Sequence, residues 1–132
     1  MTPRSALCCA VLCFCFTVVA SAQDPVKVDP AHYKVETENA QVRVLRVHYG
    51  PHEKSVMHSH PDSVAVFLSD GKIRFTDASG KTQDNTGKAG QVLYTPAQTH
   101  NPENTGDAPF DVIVVELKGS AGKAAAESSD KK

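Results

Sequence analysis

Between Gln41 and Lys118 the chain never settles into a 3.6-residue hydrophobic period. It is cut instead into short valine- and aromatic-bearing runs by Gly, Asn, Asp and Pro, and this limits the fold more than any other feature. Strand-like runs at intervals of roughly 8 to 12 residues, with turn residues between them, belong to sandwiches and barrels. Tyr33 to Glu38 reads as a first strand. Val42 to Tyr49 is rich in valine, and its alternation slips at Val44-Leu45, as at a bulge or under two-sided burial. Lys54 to His60 follows. Ser63 to Ser69 is almost continuously apolar, as expected of a strand covered on both faces. Asp70-Gly71 reads as a hairpin turn. Lys72 to Asp77 alternates, with Ile73 and Phe75 on one face, and Ser79-Gly80 turns the chain again. Gln91 to Thr95 is a strand stopped by Pro96, Asn104 to Asp107 is a turn, and Phe110 to Lys118 is a long closing strand. The expected fold is all-β, a double-sheet barrel with short turns.

The 132 residues suffice for one domain. Residues 1–22 read as a secretory signal: Arg4 gives the positive start, Ala6 to Val19 the apolar centre, and Ala20-Ser21-Ala22 a small-x-small cleavage site before Gln23. The apolar centre is shorter than the roughly 20 residues that span a bilayer. The expectation is an exported protein, periplasmic or secreted, with no membrane association after cleavage. Residues 23–40 read as an extended N-terminal segment, 41–118 as the β-barrel domain and 119–132 as a small, polar, disordered tail. Cys8, Cys9, Cys13 and Cys15 are the four cysteines, and all lie in the signal. A disulfide scaffold and a thiolate metal site are thereby excluded from the mature chain. Lys and Arg number 14 against 15 Asp and Glu, with no basic stripe, so nucleic acid is not an expected partner.

Chemistry concentrates in Met57-His58-Ser59-His60-Pro61 and in His100. Histidines at i and i+2 of a strand share one face, because strand side chains alternate with period two. His58 and His60 can therefore offer two imidazoles to one metal ion, and His100, just beyond another strand, a third. Neutral imidazole suits Fe(II), Zn, Mn, Ni and Cu. His52 sits in a turn, and His48 and His32 read as surface residues. No Gly-x-Ser-x-Gly elbow and no phosphate-cradling glycine loop occurs.

These residues resemble the cupin superfamily, over about 41 to 118. Its first motif is Gly, five residues, His-x-His, three or four residues, Glu, six residues, Gly. Here His58 and His60 take the paired positions and Gly71 closes the motif, while His52 stands at the leading Gly and Val64 at the Glu. The second motif is met by Gly90, Pro96, His100 and Asn104, with the inner Gly absent and its loop one residue short. The resemblance implies a single-domain jelly-roll barrel in which His58, His60 and His100 bind a divalent metal, Fe(II) foremost. With Val64 in place of the carboxylate, the ion would have three neutral ligands and an extra open position. Asp62 is an alternative carboxylate. Val64, Val66 and Leu68 share the parity of the lost Glu and are expected to line the interior, with Tyr94 and Gln98 near a ligand and Phe67 facing outward. Three-histidine members of the superfamily include thiol dioxygenases, gentisate-type dioxygenases and diketone-cleaving enzymes. An oxidoreductase acting on a small organic substrate is the function this implies. A non-catalytic small-molecule or metal-binding module is the alternative, as is a sugar or oxo-acid isomerase or lyase using Tyr94, Glu53 or His52. A homodimer fits the same resemblance.

Overall fold

A computed structural model describes residues 23–119. The expectations for the signal and the tail fall on residues outside that range, apart from Gly119. The order of elements is a one-turn helix α1 (Pro25–Val28), then β1 (Tyr33–Glu38), β2 (Val42–Tyr49), β3 (His58–His60), β4 (Ser63–Phe67), β5 (Gly71–Asp77), β6 (Thr82–Gly87), β7 (Val92–Thr95), β8 (Gln98–Asn104) and β9 (Phe110–Leu117). They form two antiparallel sheets, a five-stranded one ordered β1-β2-β9-β4-β7 and a four-stranded one ordered β3-β8-β5-β6.

The inner faces of the two sheets meet over a core of Tyr33, Leu45, Val47, Tyr49, Phe67, Ile73, Phe110 and Val112. Alternation along the strands decides which residues reach it. On β2, Leu45, Val47 and Tyr49 are buried and Arg46 and His48 are exposed; on β9, Phe110, Val112 and Glu116 are buried. Gly87 ends β6 directly against Phe67 of the facing sheet, where a Cβ would lie 2.0 Å from the ring. Only glycine lets the layers approach this closely there.

Several elements differ from the sequence reading. Asp70-Gly71 does not close a hairpin: β4 lies in the five-stranded sheet and β5 in the four-stranded one, so the chain crosses between layers at this point. Ser79-Gly80 does turn a hairpin, with Gly80 at φ 86° joining β5 to β6. The irregularity near Val44-Leu45 is real, but the additional residue is Glu36 on β1, between the pairs Val35–Leu45 and Thr37–Val44. The N-terminal segment is not extended throughout. Asp24 caps α1 by accepting from the Val26 amide at 2.9 Å, and the Gln23 carbonyl accepts from the Ser59 amide at 2.8 Å. The segment thereby covers the edge of β3.

Candidate metal centre

Strands β3 and β8 are neighbours, and their register sets His58 opposite His100 and His60 opposite Gln98. The three imidazoles therefore point from one sheet into the interior. His58 is 1 % exposed, His60 and His100 7 %. Ring centroids lie 4.9 Å apart for His58–His60, 5.0 Å for His58–His100 and 5.4 Å for His60–His100. One nitrogen from each ring falls within 4.8 Å of the other two.

Backbone and side-chain partners orient two of the rings. His58 Nδ1 donates to the Val56 carbonyl at 2.8 Å, with Ser55 Oγ at 3.4 Å, which leaves Nε2 as the lone-pair nitrogen. His60 Nδ1 donates to Glu116 Oε1 at 2.6 Å, again leaving Nε2 for a ligand. A carboxylate behind an imidazole fixes its tautomer and raises its basicity toward a metal. Phe75 stacks on His100 at 4.9 Å, and Tyr33 lies edge-on to His58 at 4.8 Å.

The donor set fits a metal on this structure's own terms. Among the described residues, His58 Nε2 and both ring nitrogens of His100 are buried without a hydrogen-bond partner. Buried polar atoms left unpaired are costly, and a shared cation would satisfy these. Burial, followed by the neighbouring His60, depresses the His58 pKa to about 4; burial followed by His60 and His58 depresses that of His100 to about 3. Both rings are therefore neutral at pH 7, the form that binds metal.

The clustered ligand candidates include no carboxylate, but a buried carboxylate stands behind one of them, on a different strand. Glu116, 2 % exposed on β9, faces the histidines from the opposite sheet. Its Oε2 accepts from Arg43 Nε at 2.6 Å, and Arg43 Nη1 reaches Asp24 Oδ2 at 2.7 Å. Burial alone would raise the Glu116 pKa, but the hydrogen bonds from His60 and Arg43 outweigh it and hold the group ionised. Neither Glu116 nor Arg43 was singled out in the sequence. Parity would have found both: Glu116 continues the inward series Phe110, Val112, Val114, and Arg43 the series Leu45, Val47, Tyr49.

The β4 register corrects the pocket reading by one residue. Ser63, Ala65 and Phe67 line the cavity beside the histidines, so Val64 and Val66 face out of the barrel. Val64 lies opposite Tyr94 and Val115, and Tyr94 stands 62 % exposed on the outer face of β7. Val64, Val66 and Tyr94 are thus not pocket residues; Leu68 is exposed and Phe67 is core. Because β4 is apolar at nearly every position, hydrophobicity could not reveal which parity faced inward. Gln98 does line the cavity. Asp62 accepts from the Ala97 amide at 2.8 Å and is not one of the clustered groups. His52 pairs with Asp107 and His48 with Asp111, both exposed. His32 is partly buried, stacked on Tyr49 at 4.4 Å and bonded to Asp29 at 2.8 Å. Asn104 serves structure: its Nδ2 donates to the carbonyls of Gly50 and Ala108 at 2.8 and 2.9 Å.

A cavity of about 460 Å³ extends from His60 and His100 between the sheets, walled by Phe67, Phe75, Phe110 and Val112. Its size falls in the range of small-molecule sites.

Comparisons with known proteins agree with this architecture. A cupin domain from Bordetella pertussis Tohama I superposes with a TM-score of 0.62 at 24 % identity, covering 66 % of this chain and 92 % of that one. An uncharacterized conserved protein with a double-stranded β-helix domain from Klebsiella pneumoniae gives 0.54 at 27 % identity, covering 68 % and 78 %. An RmlC-like cupin family protein from Methanocaldococcus jannaschii gives 0.52 at 14 % identity, covering 64 % and 77 %. No curated protein matches the chain. The cupin domain family matches residues 45–116, from the middle of β2 to the end of β9, so the chain belongs to the cupin family as a small single-domain member.

Proposed function

We propose that this cupin holds a divalent metal, Fe(II) foremost, on His58, His60 and His100, and is an oxidoreductase that uses O₂ to oxidise a small organic molecule. The observation that carries the reading is the convergence of three buried imidazoles at one end of an apolar cavity, two of which, those of His58 and His100, are neutral and carry unpartnered nitrogens. A bound divalent ion supplies Lewis acidity and, if it is iron, one-electron chemistry with O₂. The chain's own part is separate from this. Val56 and Glu116 fix the orientation of His58 and His60, and the aromatic walls exclude water. Export, and pairing with a second copy of the chain, complete the proposal; they rest on the leader pattern in residues 1–22 and on the family resemblance.

Metal analysis of the purified mature protein, expressed with its leader so that it loads metal in its own compartment, tests the first half. One equivalent of iron, lost in His58→Ala and His100→Ala while the circular dichroism spectrum persists, is expected. O₂ uptake by the iron-loaded protein over a panel of diketones, thiols and phenols tests the second half, and a metal-replete protein that consumes none would refute it.

A second reading, a non-catalytic binding module, is favoured by one observation. Among the described residues, the titratable side chains that line the cavity besides the histidines are Tyr33 and Tyr49. Their hydroxyls bond each other at 2.8 Å, and burial drives both pKa values upward. The isomerase or lyase alternative has no such support. Tyr94, Glu53 and His52, its proton-transfer candidates, do not line the cavity and are exposed.

A further inference from the structure

The cavity contains a cue to the chemical class of its ligand. Among the described residues that line it there is no Lys, Arg, Asp or Glu. The nearest ionised pair lies behind the wall: Glu116 is taken up by His60 and Arg43, and Arg43 by Glu116 and Asp24. The inner hydroxyls are also occupied with one another, Ser63 with Thr95 at 2.7 Å and Tyr33 with Tyr49 at 2.8 Å. What remains is an apolar middle, built by Phe67, Phe75, Ile73, Phe110 and Val112, and a rim of neutral amides from Gln83, Asn85 and Gln98.

From this distribution we infer that the ligand is an uncharged, largely apolar molecule, aromatic or branched aliphatic. It bears one chelating group with two oxygen donors, which loses a proton to bulk solvent as it binds the metal and is anionic only there, and any distal polar group is neutral. The inference rests on the metal-site reading above. A divalent ion on three neutral imidazoles favours one anionic donor in its own coordination sphere, since opposite charges attract most strongly where water is excluded. Away from the ion, a carboxylate, phosphate or ammonium on the ligand would lose its hydration in the cavity and find no countercharge. Zwitterionic aminothiols, sugar phosphates and phenolic acids are therefore poor fits. An uncharged β-diketone or an enol of similar size matches each surface it would touch. Phe75, stacked on His100, offers a ring face beside the chelating group; Gln98 lies opposite His60 near that group, and Gln83 and Asn85 on β6 can accept or donate to an ether, hydroxyl or carbonyl farther from the histidines.

The test uses Co(II) as a spectroscopic metal. Full-length protein is first shown to take up one equivalent of Co(II) by metal analysis. It is then titrated with 1-phenylbutane-1,3-dione, with the same diketone carrying a para-carboxylate, and with cysteine, following the visible Co(II) bands. The neutral diketone is expected to shift the bands and to bind at least tenfold more tightly than its carboxylate analogue, with cysteine weaker still. Ala65→Lys, which places a cation in the lining, is expected to narrow or reverse the preference between the two diketones. Should that variant fail to fold, the wild-type ratio alone decides. Equal or tighter binding of the carboxylate analogue or of cysteine overturns the inference while leaving the metal site standing. Failure to take up Co(II) overturns the metal reading and takes this inference with it.

Discussion

His58 and His100 carry a pH dependence whose sign follows from their burial. In the unfolded chain each titrates near about 6.5, whereas in the folded metal-free protein they do so at about 4 and about 3. Above the unfolded value both states are neutral and the stability is fully present. As the pH falls below it, the unfolded chain takes up protons that the folded chain refuses, and stability is lost progressively until the folded values are reached. The loss per histidine is about 2 kcal/mol at pH 5 relative to pH 7. Urea unfolding of the metal-free protein at pH 7, 6 and 5 checks this; a flat profile would mean that the three rings are not buried together. Val64 supplies a second expectation at this scale. Because it points away from the histidines, Val64→Glu should leave Co(II) affinity unchanged in a competition titration. Tightening would show that β4 sits one residue out of the register described above.

At the scale of the elements, the site is a contact between two layers. The clustered histidines hang from β3 and β8 of one sheet, while Glu116 on β9 of the other meets His60 and is itself held by Arg43 on β2. Replacing Glu116 by Gln keeps the shape and removes the charge behind His60. Metal affinity is expected to fall about 10- to 100-fold, as for other outer partners of metal-binding histidines. Competition with a chromophoric chelator measures it, with circular dichroism to confirm the fold; an unchanged affinity would reduce the Arg43–Glu116 pair to packing. The same layer contact accounts for what could and could not be read in the sequence. His58, His60 and Gly71 were legible because their spacing is local, and His100 because a second local motif places it. β8 was missed as a strand because Gln98 to Asn104 is polar and contains Pro102, so its pairing with β3 and β5 comes from tertiary context and not from propensity. Glu116 is 56 residues from His60, and no local pattern joins the two. Asp70-Gly71 carries the composition of a hairpin, yet composition marks a turn without saying whether the next strand pairs back or crosses to the other layer.

For the molecule as a whole, the described N-terminal segment belongs to the domain and is not simply a leader to it. Asp24 anchors Arg43, Gln23 pairs with the strand that bears two of the histidines, and Asp29 bonds Ser55 beside His58. Tyr33 then enters the core against the rings of His58 and His60. Removing residues 1–30 should therefore weaken metal binding as well as lower the thermal midpoint. Chelator competition and a melting curve on the truncated protein test both, and an unchanged metal affinity would confine the segment to covering an edge.

The chain from Asp24 through Arg43 and Glu116 to His60 also bears on timing. Asp24 is made early and Glu116 on the last strand, so synthesis must pass almost the whole domain before His60 acquires its partner. His100 arrives late as well, and its strand can pair with β3 only after β8 has been made. Until β8 is made the chain holds the His-x-His pair without its third neighbour, and until β9 is made it lacks the carboxylate behind His60. The finished barrel alone presents the three clustered rings with the carboxylate in place, so the proposed metal would be selected by the folded protein, in whichever compartment folding ends.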